Sequence, residues 1–198
     1  MTDEAAMVPA EPDRVMTVDL QDADATRAFG GELARELRAG DLVLLTGDLG
    51  AGKTTLTQGI GAGLGVRGQV ASPTFVIARV HPSLVGGPAL VHVDAYRLGS
   101  LDEVDALDLD TALDDSVTVV EWGQGLVEAL AGERLEVTIE RPRGGIDATT
   151  DGGAVEDAEV GTRRVTLRGV GARWASARFP SGSSSSRPGG PPRTPAGQ

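Results

Sequence analysis

The chain has 198 residues, no cysteine and two histidines, which fits one domain with tails and excludes disulfides and thiolate metal sites. Its net charge of −11 is split: residues 1–160 hold eleven cations against all 29 acids, net −18, whereas the last 38 residues hold seven arginines and no acid. So acidic a body repels phosphate backbones and is not expected to hold nucleic acid by itself, and an acidic N-terminus with no apolar stretch near ~20 residues predicts a cytoplasmic protein without signal or membrane span.

Residues 1–13 read as a disordered tail ahead of a domain spanning 14–178. Val15–Leu20 alternates as a strand does. The stretch DADATRAFGGELARELRAG then sets Phe29, Leu33 and Leu37 at helical spacing, with Asp22 or Asp24 as its cap and Gly40 as its end. Leu42–Thr46 is a continuous apolar run suited to a buried strand, followed by a loop at 47–52 and a helix at 53–64. Phe75–Val80 and Ala89–Asp94 are expected strands joined by the turn-rich HPSLVGGP. Ser100, three residues before Glu103, makes a capping box that opens a short acidic helix. Val117–Val120 is a further strand, Gln124–Leu130 a helix, and Leu135–Arg141 with Arg163–Val170 a final hairpin. The glycine-rich acidic stretch at 142–161 is expected to be a flexible insertion loop, and 179–198 a disordered low-complexity tail.

Gly47, Gly52, Lys53 and Thr54 satisfy G-x-x-x-x-G-K-[ST], with Gly50 and Ala51 between them, at an expected strand-to-helix junction. Backbone N–H groups of such a loop close around a β-phosphate, and side chains would block the approach. Lys53 is the only lysine among eighteen cations. A compact ammonium reaches between β- and γ-phosphates better than a flat guanidinium, which explains why a chain biased to arginine keeps lysine here. Thr54 is expected to place its hydroxyl on Mg²⁺, and Thr55 to reach the α-phosphate region. Magnesium calls for one further carboxylate. Asp94, ending ALVHVD, and Glu121, following VTVV, are the two candidates, each at the C-terminal edge of a strand. The chain has no asparagine and no second lysine, hence no N-K-x-D element for reading guanine, which favours ATP.

GDLGAGKTT, SPTF at 72–75, HVDAYRL at 92–98 and VEW at 120–122, in this order and spacing, resemble the TsaE (YjeE) family. These are bacterial ATPases required for making threonylcarbamoyladenosine in tRNA, and the resemblance runs from about residue 24 to 141. It implies an α/β, P-loop NTPase-like three-layer fold with a mixed, mainly parallel central sheet. It also implies that Glu121 joins Thr54 at Mg²⁺, that Asp94 is needed for hydrolysis, and that Ser72 to Phe75 form a switch to which Thr74 contributes. The catalytic set is then Asp94, Glu121 and Lys53, with Tyr96, Arg97 and Trp122 as further switch candidates. Such a protein would work with TsaD- and TsaB-like partners and meet tRNA only indirectly. The chain departs from the family pattern where a tyrosine often follows S-P-T-F, having Arg79-Val80-His81 instead, and in the 142–161 stretch and the tail.

Two other functions fit a phosphate loop. A small-molecule kinase of shikimate-kinase-like size needs basic residues on a lid, where this chain supplies only Arg97 in acidic surroundings. A nucleotide-dependent assembly module would bind ATP and hydrolyse it negligibly. The seven acids from Asp102 to Asp115 read as a solvated face, or as a docking surface for a basic partner. His92 reads as a packed strand histidine, outside the catalytic set.

Overall fold

One seven-stranded sheet organises the chain, and in the computed structural model residues 13–100, 103, 114–128, 131–141 and 160–181 are described. Its strands are β1 (Arg14–Asp22), β2 (Leu42–Thr46), β3 (Ala78–His81), β4 (Ala89–Asp94), β5 (Ser116–Glu121), β6 (Arg134–Glu140) and β7 (Val160–Val170). They lie in the order β1-β7-β6-β2-β5-β4-β3. The four central strands β6, β2, β5 and β4 run parallel; β3 is antiparallel at one edge, and β7 and β1 are antiparallel at the other. This is the mixed α/β sheet expected for a P-loop NTPase-like fold. Buried on both faces, β2 has no polar side to show, hence the unbroken LVLLT: Val43 and Leu45 join one core cluster, Leu42 and Leu44 the other.

Helices α1 (Ala23–Leu33) and α2 (Lys53–Leu64) cover the first of these faces. Of the two candidate caps for α1, Asp22 serves: its Oδ1 accepts from the Ala25 N–H at 2.8 Å. The helix stops at Leu33, short of Gly40, because the following N–H groups of Arg35, Glu36 and Leu37 bond three residues back and tighten the last turns. Leu37 still reaches the core. The two helices cross backbone against backbone: a Cβ on Gly59 would lie 2.1 Å from the Arg27 carbonyl oxygen, and one on Gly30 would lie 2.5 Å from that of Leu56. On the opposite face Val91, Val93, Val120 and Val127 pack with Leu98, Leu126 and Ala131.

The strand expected at Phe75–Val80 begins only at Ala78. The N–H groups of Val76 and Ile77 both bond to the Pro73 carbonyl, at 2.8 and 2.7 Å, and Ile77 takes a φ of +66°. That turn pushes Phe75 outward, leaving it 88% exposed. The helix expected at Gln124–Leu130 is a series of turns over its described part, 124–128: Leu126 and Val127 share the Gly123 carbonyl, and Gly125 has a φ of +81° that an α-helix does not admit. The capping contact of Ser100 with the Glu103 N–H is present, at 3.4 Å. The acidic helix it was expected to open lies outside the described residues, as do residues 1–12, 142–159 and 182–198. Strand β7 already includes residues 160 and 161, placed by the sequence in the insertion loop. A short helix α3 (Ala172–Ala175), not anticipated, sets Trp174 fully buried on Gly169, with the Phe179 ring 6.3 Å away, so packing continues one residue into the expected tail. Among the described residues no helix is long and apolar enough to cross a membrane.

Candidate functional site

The parallel register assembles the site before any side chain is considered. Leu45 pairs with Glu121 and Asp94 pairs with Glu121, so the loop leaving β2 emerges beside two acids at the C-terminal edge of the sheet. Gly47, at a φ of +150°, passes so close to β6 that a Cβ would lie 2.3 Å from the Ile139 carbonyl oxygen. Gly50 and Gly52 have φ of +76° and +116°, and Ala51 is buried beneath them. Gly52 is the N-cap of α2 and offers no side chain to its first turn, which leaves the helix's positive end to an anion.

Lys53 is 5% exposed and folds back over the loop, its Nζ donating to the carbonyls of Gly47 at 2.7 Å and Asp48 at 3.0 Å. Nζ also sits 3.8 Å from the centre of the Trp122 ring, a cation–π contact. Trp122 reaches it from a backbone at φ +63°, with its N–H on the Leu45 carbonyl at 3.3 Å, and its ring is met edge-on by Tyr96 at 5.4 Å. Burial pushes the Lys53 ammonium below its usual 10.5, against the opposing pull of Glu121, Asp94 and Asp48.

Thr54, in the first turn of α2, donates its hydroxyl to Glu121 Oε1 at 2.9 Å. The same oxygen contacts His92 Nε2 at 2.8 Å, and His92 is fully buried. One residue pair along, Asp94 Oδ2 accepts from the Thr74 hydroxyl at 2.7 Å and the Ser72 hydroxyl at 3.3 Å, while its Oδ1 accepts from the Tyr96 N–H at 3.1 Å. Asp94 therefore ties the 72–75 segment to the end of β4. Arg97 is exposed, and its guanidinium lies 5.9 Å from the centre of the exposed Phe75 ring. Thr55 is half-buried beside Thr54.

The structure thus brings together Gly47, Gly50, Ala51, Gly52, Lys53, Thr54, Glu121 and Trp122, with Asp94, Ser72 and Thr74 as an adjoining cluster. Sequence reasoning missed two residues. His92 reads from its strand pattern as a packed residue, yet it stands two residues before Asp94 on one strand, and so on the same face. Arg163 of β7 is buried, and its Nε lies 3.8 Å from where a Cβ on Gly52 would be; no local motif could announce it, because β7 joins the site only through the sheet. The oxygen donors Thr54 and Glu121 suit Mg²⁺, which binds few protein oxygens and keeps the rest of its shell as water and phosphate. The tight glycine loop, bare helix end and adjacent lysine suit a polyphosphate.

A family model described as threonylcarbamoyl adenosine biosynthesis protein TsaE matches residues 20–146. A Streptomyces coelicolor protein named tRNA threonylcarbamoyladenosine biosynthesis protein TsaE is 60% identical over 152 residues, 76% of this chain and 95% of that one. A Bacillus subtilis protein of the same name is 40% identical over 119 residues, 60% of this chain and 73% of that one. Among solved structures, Bacillus subtilis YdiB superimposes with a TM-score of 0.60 at 30% identity, covering 83% of this chain and 92% of that one.

Proposed function

The chain belongs to the TsaE family and so takes part in threonylcarbamoyladenosine biosynthesis on tRNA; from that premise we propose that it is the ATP-binding, ATP-hydrolysing subunit, working in the cytoplasm with TsaD- and TsaB-like partners that carry out the transfer. The observation that carries this reading is the hydrogen bond from Thr54 to Glu121, which joins the end of the phosphate loop to the end of a neighbouring strand. A hydroxyl that gives its proton to a carboxylate keeps its lone pairs free for a cation, so Glu121 orients Thr54 for Mg²⁺. Bound Mg²⁺ would supply positive charge at the phosphate oxygens. Lys53, released from the Gly47 and Asp48 carbonyls, reaches the β- and γ-phosphates, and the α2 N-terminus adds its dipole. Asp94 orients the attacking water, and its bonds to Ser72 and Thr74 let the 72–75 segment respond to the γ-phosphate.

The test is ATP turnover measured with and without the partner complex. Turnover is expected to be slow alone and faster with the partners. Lys53→Met, which keeps a side chain of similar length and removes the charge, is expected to lower turnover about 100-fold or more. Tight ATP binding without turnover, even in the presence of partners, would instead make the protein an assembly module.

A further inference from the structure

We propose that His92 is a positioning residue for the metal-side acid: it holds Glu121 in the one orientation that lets the carboxylate accept from Thr54. The inference rests on the Mg²⁺–nucleotide reading above and assigns that site a residue outside the loop and the two acids.

The placement follows from the sheet. In β4, Leu90, His92 and Asp94 alternate onto the face covered by α2, and the parallel register sets Asp94 opposite Glu121 and His92 opposite Val119. His92 is therefore the diagonal same-face neighbour of Glu121, within reach of a ring side chain. Its Nε2 stands 2.8 Å from Oε1, the oxygen that also takes the Thr54 hydroxyl at 2.9 Å. Two donors from two different elements, β4 and α2, converge on one oxygen. A carboxylate brings no proton to the contact, so the hydrogen lies on Nε2.

The rest of the imidazole gives it no other employment. Nδ1 is buried and has no hydrogen-bond partner among the described residues, and the ring is fully enclosed. A histidine kept only to fill the core would be replaced at lower cost by leucine, because every buried polar nitrogen left unpaired costs free energy. Here one nitrogen is left unpaired while the other is spent on Glu121. The chemistry parallels the partners that orient ligating side chains around metal ions, whose removal typically weakens metal binding 10–100-fold. The same strand carries Asp94 two residues on, so β4 supports the metal side through His92 and the 72–75 segment through Asp94.

Three variants and one spectrum test this. Nucleotide binding is titrated calorimetrically across Mg²⁺ concentrations for wild type, His92→Leu, His92→Asn and His92→Gln, with thermal unfolding of each nucleotide-free protein as the control. Glutamine can set its amide N–H near the Nε2 position; asparagine cannot reach it. Expected is an approximately 10-fold rise in the Mg²⁺ needed for half-maximal binding in His92→Leu and His92→Asn, with His92→Gln returning to within about 3-fold of wild type. Binding measured without Mg²⁺ should be equal in all four. If folded leucine and asparagine variants keep the wild-type Mg²⁺ requirement, or if glutamine fails to restore it, the positioning role is overturned. Independently of any variant, long-range ¹⁵N–¹H spectra of the wild type should show His92 protonated on Nε2; an Nδ1-protonated ring would overturn the proposal as well. Wild-type binding that ignores Mg²⁺ would remove the functional reading itself, and is recognisable because it precedes every comparison among variants.

Discussion

Asp94 and Glu121 are register partners with the same chemistry, yet their neighbours give them different work. Glu121 meets Thr54 and His92, whereas Asp94 meets Ser72, Thr74 and the Tyr96 N–H. Glu121→Gln is expected to raise the Mg²⁺ needed for nucleotide binding by about 10–100-fold. Asp94→Asn should bind Mg·ATP nearly as wild type but hydrolyse it about 100-fold or more slowly, a loss confined to the transition state. Titrations across Mg²⁺ and single-turnover hydrolysis separate the two, and the opposite pattern would exchange their roles. His81 gives a pH signature. Burial holds its imidazole below the usual 6.5, with His92 and Arg79 adding to the effect and the Arg67 carbonyl opposing it. As pH falls through 6.5 the unfolded chain takes up a proton that the folded chain resists, so stability present at neutral pH is lost toward acid. Denaturant unfolding between pH 7.5 and 5 should therefore show a shallower acid-side fall for His81→Gln than for wild type. Residue types whose chemistry is local, the loop glycines and Lys53, could be read from the sequence. The Lys53–Trp122 stack and the His92–Glu121 contact could not, since both depend on which strand lies beside which.

Elements that pack on both faces or carry a strong turn signal were equally readable: β2, α2 and β4 run over the residues their patterns mark. Failures came where a backbone hydrogen bond overrode an apolar run, as the Pro73 carbonyl does at Phe75–Ile77, and where a glycine with positive φ, Gly125, broke a helical spacing. The glycines of GGELARELRAG and GIGAGLG carried a message that helix propensity alone inverts. Alanine is the better helix former by about 1 kcal/mol. In the α1–α2 crossing, however, a methyl on Gly59 would meet the Arg27 carbonyl oxygen at 2.1 Å, and backbone does not give way as a flexible side chain does. Gly59→Ala is expected to destabilise the protein by about 1–3 kcal/mol net, read as a lower urea midpoint. It should also weaken nucleotide binding, because the tilt of α2 aims its N-terminus.

At the scale of the molecule, the C-terminal segment closes the fold. Trp174 is fully enclosed, and Arg173 spans to Asp41 with two hydrogen bonds, at 3.0 and 2.8 Å, fastening α3 to the turn before β2. Trp174→Ala should cost about 3–5 kcal/mol in denaturant unfolding. A chain ending at Arg178 should be measurably less stable than one ending at Ser181, since only the latter keeps the Phe179 ring against Trp174 and under Arg14. The position of β7 sets an order in time. Among the described residues β1 pairs with β7 alone, and their Thr17 and Thr166 hydroxyls bond across 149 residues of chain. The loop at 47–52 leaves β2 against Ile139 of β6 and so takes its final form only once the C-terminal strands have joined the sheet, and Arg163 reaches the flank of Gly52 only with β7. Nucleotide should thus be captured late: in stopped-flow refolding, helical signal is expected to rise before ATP is bound, so that the nucleotide enters only a finished fold.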